Sequence, residues 1–491
     1  MKKYVLGIDQ STQGTKALLF DENGSLAGRE DLAHRQIINE KGWVEHDPEE
    51  IYNNTLEAVK KLLKQKAINP SDIETLGISN QRETVMAWNR ETGKPVYNAI
   101  VWQCARGQDI CRRMEAKGCG SRIKESTGLP LSPYFSAAKL AWIMEHVPEA
   151  KILADKKMLC CGTMDSWLVF CLTGKKVFKT DYSNASRTQL FNIRTLKWDA
   201  DICELFGIPV QSLPEVTDSN GRFGETDFGG ILSRSIPIRA VMGDSHGALF
   251  GQGCTKEGMI KATYGTGSSV MMNIGKKPIF SSRVATSLAW SMDGTVDYVL
   301  EGNINYTGAV ISWLKDDLQL IESPLETEEL AYRANKEDKT YLVPAFSGLG
   351  APYWNGAAKA LICGMTRVTK KAEIVRAALD CIAYQVTDVI ESMAKAADCT
   401  IQALRVDGGP TRNRYLMQFQ SDVAEIPVEI PGIEELSGMG AAYAAGIAVG
   451  IYDKTQIFDA IQRKRFLPEM DRETRDIKYQ GWKKAIDRTL V

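Results

Sequence analysis

Apolar and polar positions alternate in blocks along the chain, and the first 24 residues set the pattern. Tyr4 to Ile8 is an apolar run that ends on Asp9. Residues 10–15 are hydroxylated, amide-bearing or glycine. Ala17 to Phe20 is apolar again, and Glu22-Asn23-Gly24 follows as a turn signal. Two apolar runs around a polar turn predict a β-hairpin. Asp47-Pro48-Glu49-Glu50 then carries the signals of a helix start. Ile51, Leu56, Val59, Leu62 and Leu63 recur at helical spacing. Ile73 to Ser79 reads as a strand that ends at Asn80-Gln81-Arg82-Glu83-Thr84, and Val85 to Trp88 resumes extended structure. Ala137 to His146 and Thr163 to Leu172 read as helices. Ile236 to Gly243 reads as a strand leading into Asp244.

From there the pattern partly restarts. Met259 to Tyr264 is strand-like, Gly265-Thr266-Gly267-Ser268-Ser269 is a turn, and Val270 to Asn273 is strand-like again. This echoes the first hairpin and predicts two units of shared ancestry. We place the boundary at 249/250, giving units 1–249 and 250–491. Lys371 to Lys395 reads as a long helix. Leu404 to Asp407 is a strand ending in Gly408-Gly409, and Asn413 to Phe419 opens a further helix. Gly438 to Tyr452 is too short and too rich in Ala and Gly to cross a bilayer, and reads as a tightly packed helix.

Composition adds limits. A chain of 491 residues is too long for one ordinary core and fits two domains. With 44 % apolar and 25 % charged residues it is in the globular range. A net charge of -1 gives no electrostatic footprint for nucleic acid or an anionic membrane surface. The 11 cysteines are scattered without a CxxC pair, which suggests reduced thiols in a cytoplasmic protein rather than disulfides or a zinc site. Four histidines leave little for a multi-His metal centre.

Four polar strand ends are the candidate chemistry: Asp9 with its turn, Arg82-Glu83, Gly243-Asp244 and Asp407-Gly408-Gly409. In α/β folds the ligand crevice lies outside such ends. Amides and hydroxyls of the first turn could cradle phosphate oxygens, with Asp9 on a metal ion or its waters. The same residues also fit an ordinary surface hairpin. Asp244 could accept a proton from an attacking hydroxyl. It equally fits a helix cap, because Ala248-Leu249-Phe250 follows. Arg82 beside Glu83 offers donors and acceptors together, as a polyhydroxylated ligand needs, and equally fits a surface ion pair. Trp102 could cover the C–H face of such a ligand, or simply be core. Gly265-Thr266-Gly267 and Gly408-Gly409 would let backbone approach phosphate and adenine, or be plain turns. No Walker A loop, GxSxG elbow or HExxH occurs.

With these residues in view the chain resembles the FGGY carbohydrate kinases, and within them the glycerol kinases. The runs that carry this are Ile78 to Thr84, Gly93 to Cys104, Tyr134 to Trp142, Asp181 to Arg187, Asp407 to Gly409 and Leu416 to Asp422. The resemblance implies an α/β fold of two actin-like domains (ribonuclease H-like, the actin/hexokinase/Hsp70 type), each on a mixed five-stranded sheet, with a cleft between them. It implies ATP and Mg²⁺ as cofactors and a small polyol or sugar as substrate. It implies a homodimer or homotetramer in the cytoplasm, with no nucleic acid partner and no membrane insertion. Asp244 becomes the catalytic base, with Asp9 and Asp244 on the metal side. Ser11, Thr12, Gln13, Thr266 and Gly308 become the phosphate contacts, and Gly409 and Asn413 lie near adenine. Arg82, Glu83, Trp102 and Tyr134 hold the acceptor with Asp244.

Two departures bear on the acceptor. Glycerol kinases usually have Gln after the catalytic Asp, where Ser245 stands, and Phe after the Gly-Thr-Gly turn, where Ser269 stands. A roomier, more polar pocket would follow. Two acceptors are therefore expected as alternatives, glycerol and a four- or five-carbon polyol or ketose such as xylulose or ribulose. A third reading, of another class, is a non-catalytic nucleotide-dependent sugar sensor. Regulation by fructose bisphosphate is not matched around Ser233-Arg234-Ser235, and no histidine lies in residues 147–245 for phosphohistidine activation.

Overall fold

The computed structural model describes residues 2–490. The first apolar runs form the expected hairpin, β1 (Tyr4–Gln10) and β2 (Gly14–Phe20), in antiparallel register with Asp9 opposite Lys16. The strands run further than the apolar pattern, so the turn shrinks to Ser11, Thr12 and Gln13. β3 (Leu26–Ala33) continues the meander. β1 also pairs in parallel with β4 (Ile73–Asn80), which pairs in parallel with β6 (Ile236–Gly243), and β5 (Glu225–Thr226) adds a short edge. The spatial order is β5-β6-β4-β1-β2-β3.

The second sheet repeats this core. β7 (Ile260–Tyr264) and β8 (Ser268–Asn273) form a hairpin, and β7 pairs in parallel with β11 (Leu404–Asp407). β9 (Ala285–Met292), β10 (Thr295–Ile304), β12 (Val428–Pro431) and β13 (Arg463–Phe466) complete the order β9-β10-β8-β7-β11-β12-β13. Both sheets are thus larger than the five strands expected, with six and seven. The additions are edge strands: β5 in the first sheet, β9 and β13 in the second. A parallel neighbour beside an antiparallel hairpin in both halves is the repeat that the sequence echo implied.

Helices cover the sheets. α1 (Pro48–Lys66) starts where expected, because the Asp47 side chain accepts from the amides of Glu49 and Glu50. It ends on Ala67 in left-handed geometry. α2 (Ser136–His146) and the long α4 (Lys371–Ala397) follow their predicted spans to within two residues, with α3 (Asp244–Gly251) between them. α5 (Arg414–Ala424) follows β11. α6 (Leu436–Ala448) is the Ala/Gly-rich helix, stopped before Gly450, whose φ is 74°.

α6 lies in the second half of the sequence but packs on the first sheet and on α3. Glycine makes this possible. A Cβ on Gly77 would lie 2.1 Å from the Ala441 carbonyl oxygen, and one on Gly440 would lie 1.9 Å from the Gly247 carbonyl oxygen. Tyr443, Met439 and Leu436 join Phe20, Leu18, Met242 and Phe250 in a buried cluster that spans both halves. Among the described residues no helix is long and apolar enough to cross a membrane.

Candidate active site

Asp9 ends β1 and is buried. Its Oδ1 accepts from Ser79 Oγ at 3.0 Å. Burial pushes its carboxyl up to about 6. Lys16 and Ser79 oppose this, while Asp244 and Glu435 add to it. Beside it the turn closes on itself: Ser11 N and Oγ both donate to the Gly14 carbonyl, at 2.8 and 3.0 Å. The Ser11 hydroxyl is therefore engaged. Among the described residues the amides of Thr12 and Gln13 have no protein acceptor. Unpaired consecutive amides beside a lysine, Lys16, suit an anion. The Thr12 hydroxyl accepts from Trp102 Nε1 at 2.9 Å, which ties this turn to the indole expected to cover the acceptor. Trp102 and Tyr134 stand edge to face with ring centres 5.5 Å apart.

Asp244 heads α3. Its Oδ1 accepts from its neighbour Ser245 N at 2.6 Å and from Arg82 Nε at 3.1 Å. Its Oδ2 has no protein donor among the described residues, and its side chain is 35 % exposed. A carboxylate with one oxygen pinned and the other open is the geometry a proton acceptor needs. Arg82 and Glu83 leave the end of β4 as expected but point into a larger cluster. Arg82 Nη1 and Nη2 donate to the two oxygens of Glu301, at 3.1 and 2.9 Å. Arg187 Nε donates to Glu83 Oε1 at 2.6 Å. Its Nη1 lies 2.6 Å from Glu301 Oε2 in an ionic contact off hydrogen-bond alignment.

Burial works against the Arg82 charge, but Glu301, Glu83 and Asp244 overcome it and hold its pKa well above the usual value. Burial likewise pushes the Glu301 carboxyl up, yet Arg187 and Arg82 keep it far below the usual carboxylate range. Burial raises the Tyr134 phenol, and Glu83 adds to that, so it stays protonated and can donate. Ser269 Oγ reaches the edge of the cluster, 3.5 Å from Glu301 Oε1, and Ser245 is half-buried next to Asp244.

The glycines expected on the phosphate side form a connected set of turns. Gly308 N donates to the Gly265 carbonyl at 2.9 Å, and Ala309 N to that of Thr266 at 3.0 Å. Gly408, with φ of 100°, crosses β7 so closely that a Cβ would lie 1.9 Å from the Tyr264 carbonyl oxygen. Gly409 follows it at the end of β11, whose Asp407 pairs with Thr263 of β7. Asn413 takes no part in the carboxylate cluster. It caps α5, accepting from Leu416 N, and donates to Thr327 Oγ1 at 3.0 Å.

Sequence reasoning missed Glu301 and Arg187 as site residues. Arg187 stood inside a family-like run without an assigned role. Glu301 had one signal, a lone acid within the apolar strand Tyr298 to Ile304. It also missed His246, fully buried beside Arg82. Burial and the neighbouring Arg82 keep this imidazole neutral, and neither ring nitrogen has a partner among the described residues.

Comparison with known proteins gives two family models. That of the N-terminal domain of the FGGY family of carbohydrate kinases matches residues 4–251, and that of its C-terminal domain matches residues 260–449. The chain is 49 % identical to glycerol kinase 1 of Thermotoga maritima, over 99 % of this chain and 100 % of that protein. It superposes on the crystal structure of Plasmodium falciparum glycerol kinase with ADP at a TM-score of 0.93 and 36 % identity, over 100 % and 99 % of the two chains. Xylulose kinase from Lactobacillus acidophilus shares the fold, with a TM-score of 0.88 at 20 % identity over 99 % and 97 % of the chains.

Proposed function

We propose that this chain, which belongs to the FGGY family of carbohydrate kinases, transfers the γ-phosphoryl group of ATP to a terminal hydroxyl of glycerol. The observation that carries this is the open Oδ2 of Asp244 on a carboxylate held by Arg82, with Asp9 opposite. Arg82, Glu83 and the Tyr134 phenol orient the acceptor, and Trp102 covers its C–H face. Asp244 Oδ2 accepts the hydroxyl proton as that oxygen bonds to the γ-phosphorus and the bond to the ADP oxygen breaks. The amides of Thr12, Gln13, Thr266 and Gly267, which have no protein acceptor among the described residues, stabilise the transferring group.

Asp9 and Asp244 offer a set of carboxylate oxygens only, which fits Mg²⁺, an ion that takes few protein ligands and keeps waters. Bound there, Mg²⁺ would neutralise charge on the phosphates. Gly409 and Asn413 are assigned to the adenine side. Units 1–249 and 250–491 carry acceptor and nucleotide respectively, with α6 returning to the first. A homodimer or homotetramer in the cytoplasm is the setting the resemblance supports.

A second reading is favoured by Ser245 and Ser269. Two small hydroxylated side chains flank Asp244 and Glu301, and they suit a longer, more hydroxylated acceptor. A coupled ADP-release assay over glycerol, erythritol, xylitol, D-xylulose, D-ribulose and L-ribulose decides. Glycerol should give the highest kcat/KM. A four- or five-carbon acceptor turned over more efficiently would replace glycerol, and sugar binding without turnover on any of them would leave the sensor reading.

A further inference from the structure

We infer that Glu301 is a positioning residue that latches the acceptor-holding arginines to the sheet carrying the phosphate turn, so that acceptor and nucleotide bind cooperatively. This rests on the phosphotransfer reading above. Glu301 belongs to β10 in the second sheet, whereas Arg82 and Arg187 come from the first half of the chain. Its one carboxylate serves both guanidinium groups, and the three side chains are 1 to 5 % exposed. A chain of contacts results, from Asp244 to Arg82 to Glu301 to Arg187 to Glu83. Both ends of that chain are acceptor residues, and its middle link is not.

β10 runs from Glu301 to Ile304, paired with β8 through Met271 opposite Glu301 and Ser269 opposite Asn303. It then delivers Thr307, whose N–H donates to the Thr266 carbonyl at 3.0 Å and whose Oγ1 donates to that of Gly265 at 3.0 Å. Six residues of paired strand and turn therefore join the Glu301 carboxylate to the phosphate-side glycines. A nucleotide that orders this turn fixes the place of Glu301, and Glu301 fixes Arg82 and Arg187. With the two halves apart, both arginines would keep only Asp244 and Glu83. By linkage, whatever nucleotide does for acceptor affinity, acceptor does equally for nucleotide affinity.

The test is calorimetric titration of ADP with and without saturating glycerol, on the wild type, Glu301→Gln and Glu301→Asp, together with steady-state constants. In the wild type glycerol should tighten ADP roughly fivefold or more. In Glu301→Gln that ratio should fall to about 1 and the glycerol KM should rise roughly tenfold or more, with ADP affinity in the absence of glycerol within about twofold of wild type. Glu301→Asp keeps the charge on a shorter arm and should recover part of the ratio. It also supplies the reading if the Gln variant does not fold, since a shortened arm should still reduce the ratio. A wild-type ratio of about 1, a ratio unchanged in the variants, or ADP affinity alone falling as far as that of glycerol would each overturn the latch. The phosphotransfer reading fails separately, on wild-type turnover.

Discussion

Replacing Lys139 with Met tests how the acceptor wall is built. Lys139 lies in α2 and is fully buried. Its Nζ donates back to the carbonyls of Pro133, Tyr134 and Phe135, at 3.0 Å to the first and 2.9 Å to the last. Three acceptors round one nitrogen pin the loop that carries the Tyr134 ring. Burial pushes the Lys139 amine down to about 7, against the pull of Glu83. That displacement is worth roughly 5 kcal/mol against the charged form. Lys139→Met removes this cost but strands three buried carbonyls at about 1–3 kcal/mol each. A loss of about 3–9 kcal/mol set against about 5 kcal/mol regained centres on a net loss of about 1 kcal/mol of stability near neutral pH.

The sign with pH follows from the depressed value. Between about 7 and 10.5 the unfolded chain holds the proton and the folded chain does not, so wild-type stability should rise across that window. The variant should lack this rise. Urea denaturation at pH 7 and pH 9 reads both effects. The glycerol KM should rise roughly tenfold as the Tyr134 loop loosens, with ATP KM little changed. Parallel pH profiles for variant and wild type would refute the burial argument, and an unchanged glycerol KM would refute the positioning argument.

Asp244→Asn keeps an oxygen for Arg82 and should keep glycerol binding, but it loses the proton acceptor and one proposed Mg²⁺ carboxylate and should lower kcat by about 10²–10⁴. Near-wild-type turnover would remove Asp244 as the base. Trp102→Phe deletes the bond from Nε1 to the Thr12 hydroxyl and should cost about 1 kcal/mol, seen as a several-fold rise in the KM of both substrates. A change in one KM only would show that this bond does not join the two sites. Gly440→Ala would put a Cβ 1.9 Å from the Gly247 carbonyl oxygen, forcing α6 and α3 apart by about 1 Å, and kcat should fall roughly 10²-fold. Full activity would mean that α3 can move without disturbing Asp244.

Much of this was legible in the sequence because local rules and tertiary contacts agreed. Asp47-Pro48-Glu49-Glu50 is a helix start by its own chemistry, and the helix is there. The first hairpin needed only its two apolar runs and the turn between them. Arg82-Glu83 was legible as a paired donor and acceptor because the two groups are adjacent in sequence, although the same pair also fitted a surface ion pair. What was not legible was partnership across long separations. Leu300-Glu301-Gly302 reveals an acid in an apolar strand, and a buried acid needs a cation or several hydrogen-bond donors. Nothing in the spacing says that the cations are Arg82 and Arg187, 219 residues away in the first case. Likewise the glycines of α6 announce close packing without naming the surface.

That surface explains the relation between the two carboxylates. Asp9, near the end of β1, and Asp244, just past the end of β6, lie on either side of β4 in one sheet, but a strand end alone leaves the angle of α3 free. α6 removes that freedom by wedging between the elements that carry them. A Cβ on Gly438 would lie 3.1 Å from the Asp9 Cβ, and Gly440 meets the backbone of Gly247, three residues past Asp244. Just ahead of α6, Glu435 accepts Lys16 Nζ at 2.7 Å and also pairs with Arg29. One helix from the far end of the chain thus touches the proposed metal-side acid, the helix bearing the proposed base, and the lysine beside the phosphate turn. The acceptor-side site therefore belongs to the first sheet in position but requires the second half of the chain for its geometry. For a reaction whose catalysis is chiefly positioning and charge, small residues on α6 are as much a part of the site as the groups that meet the substrate.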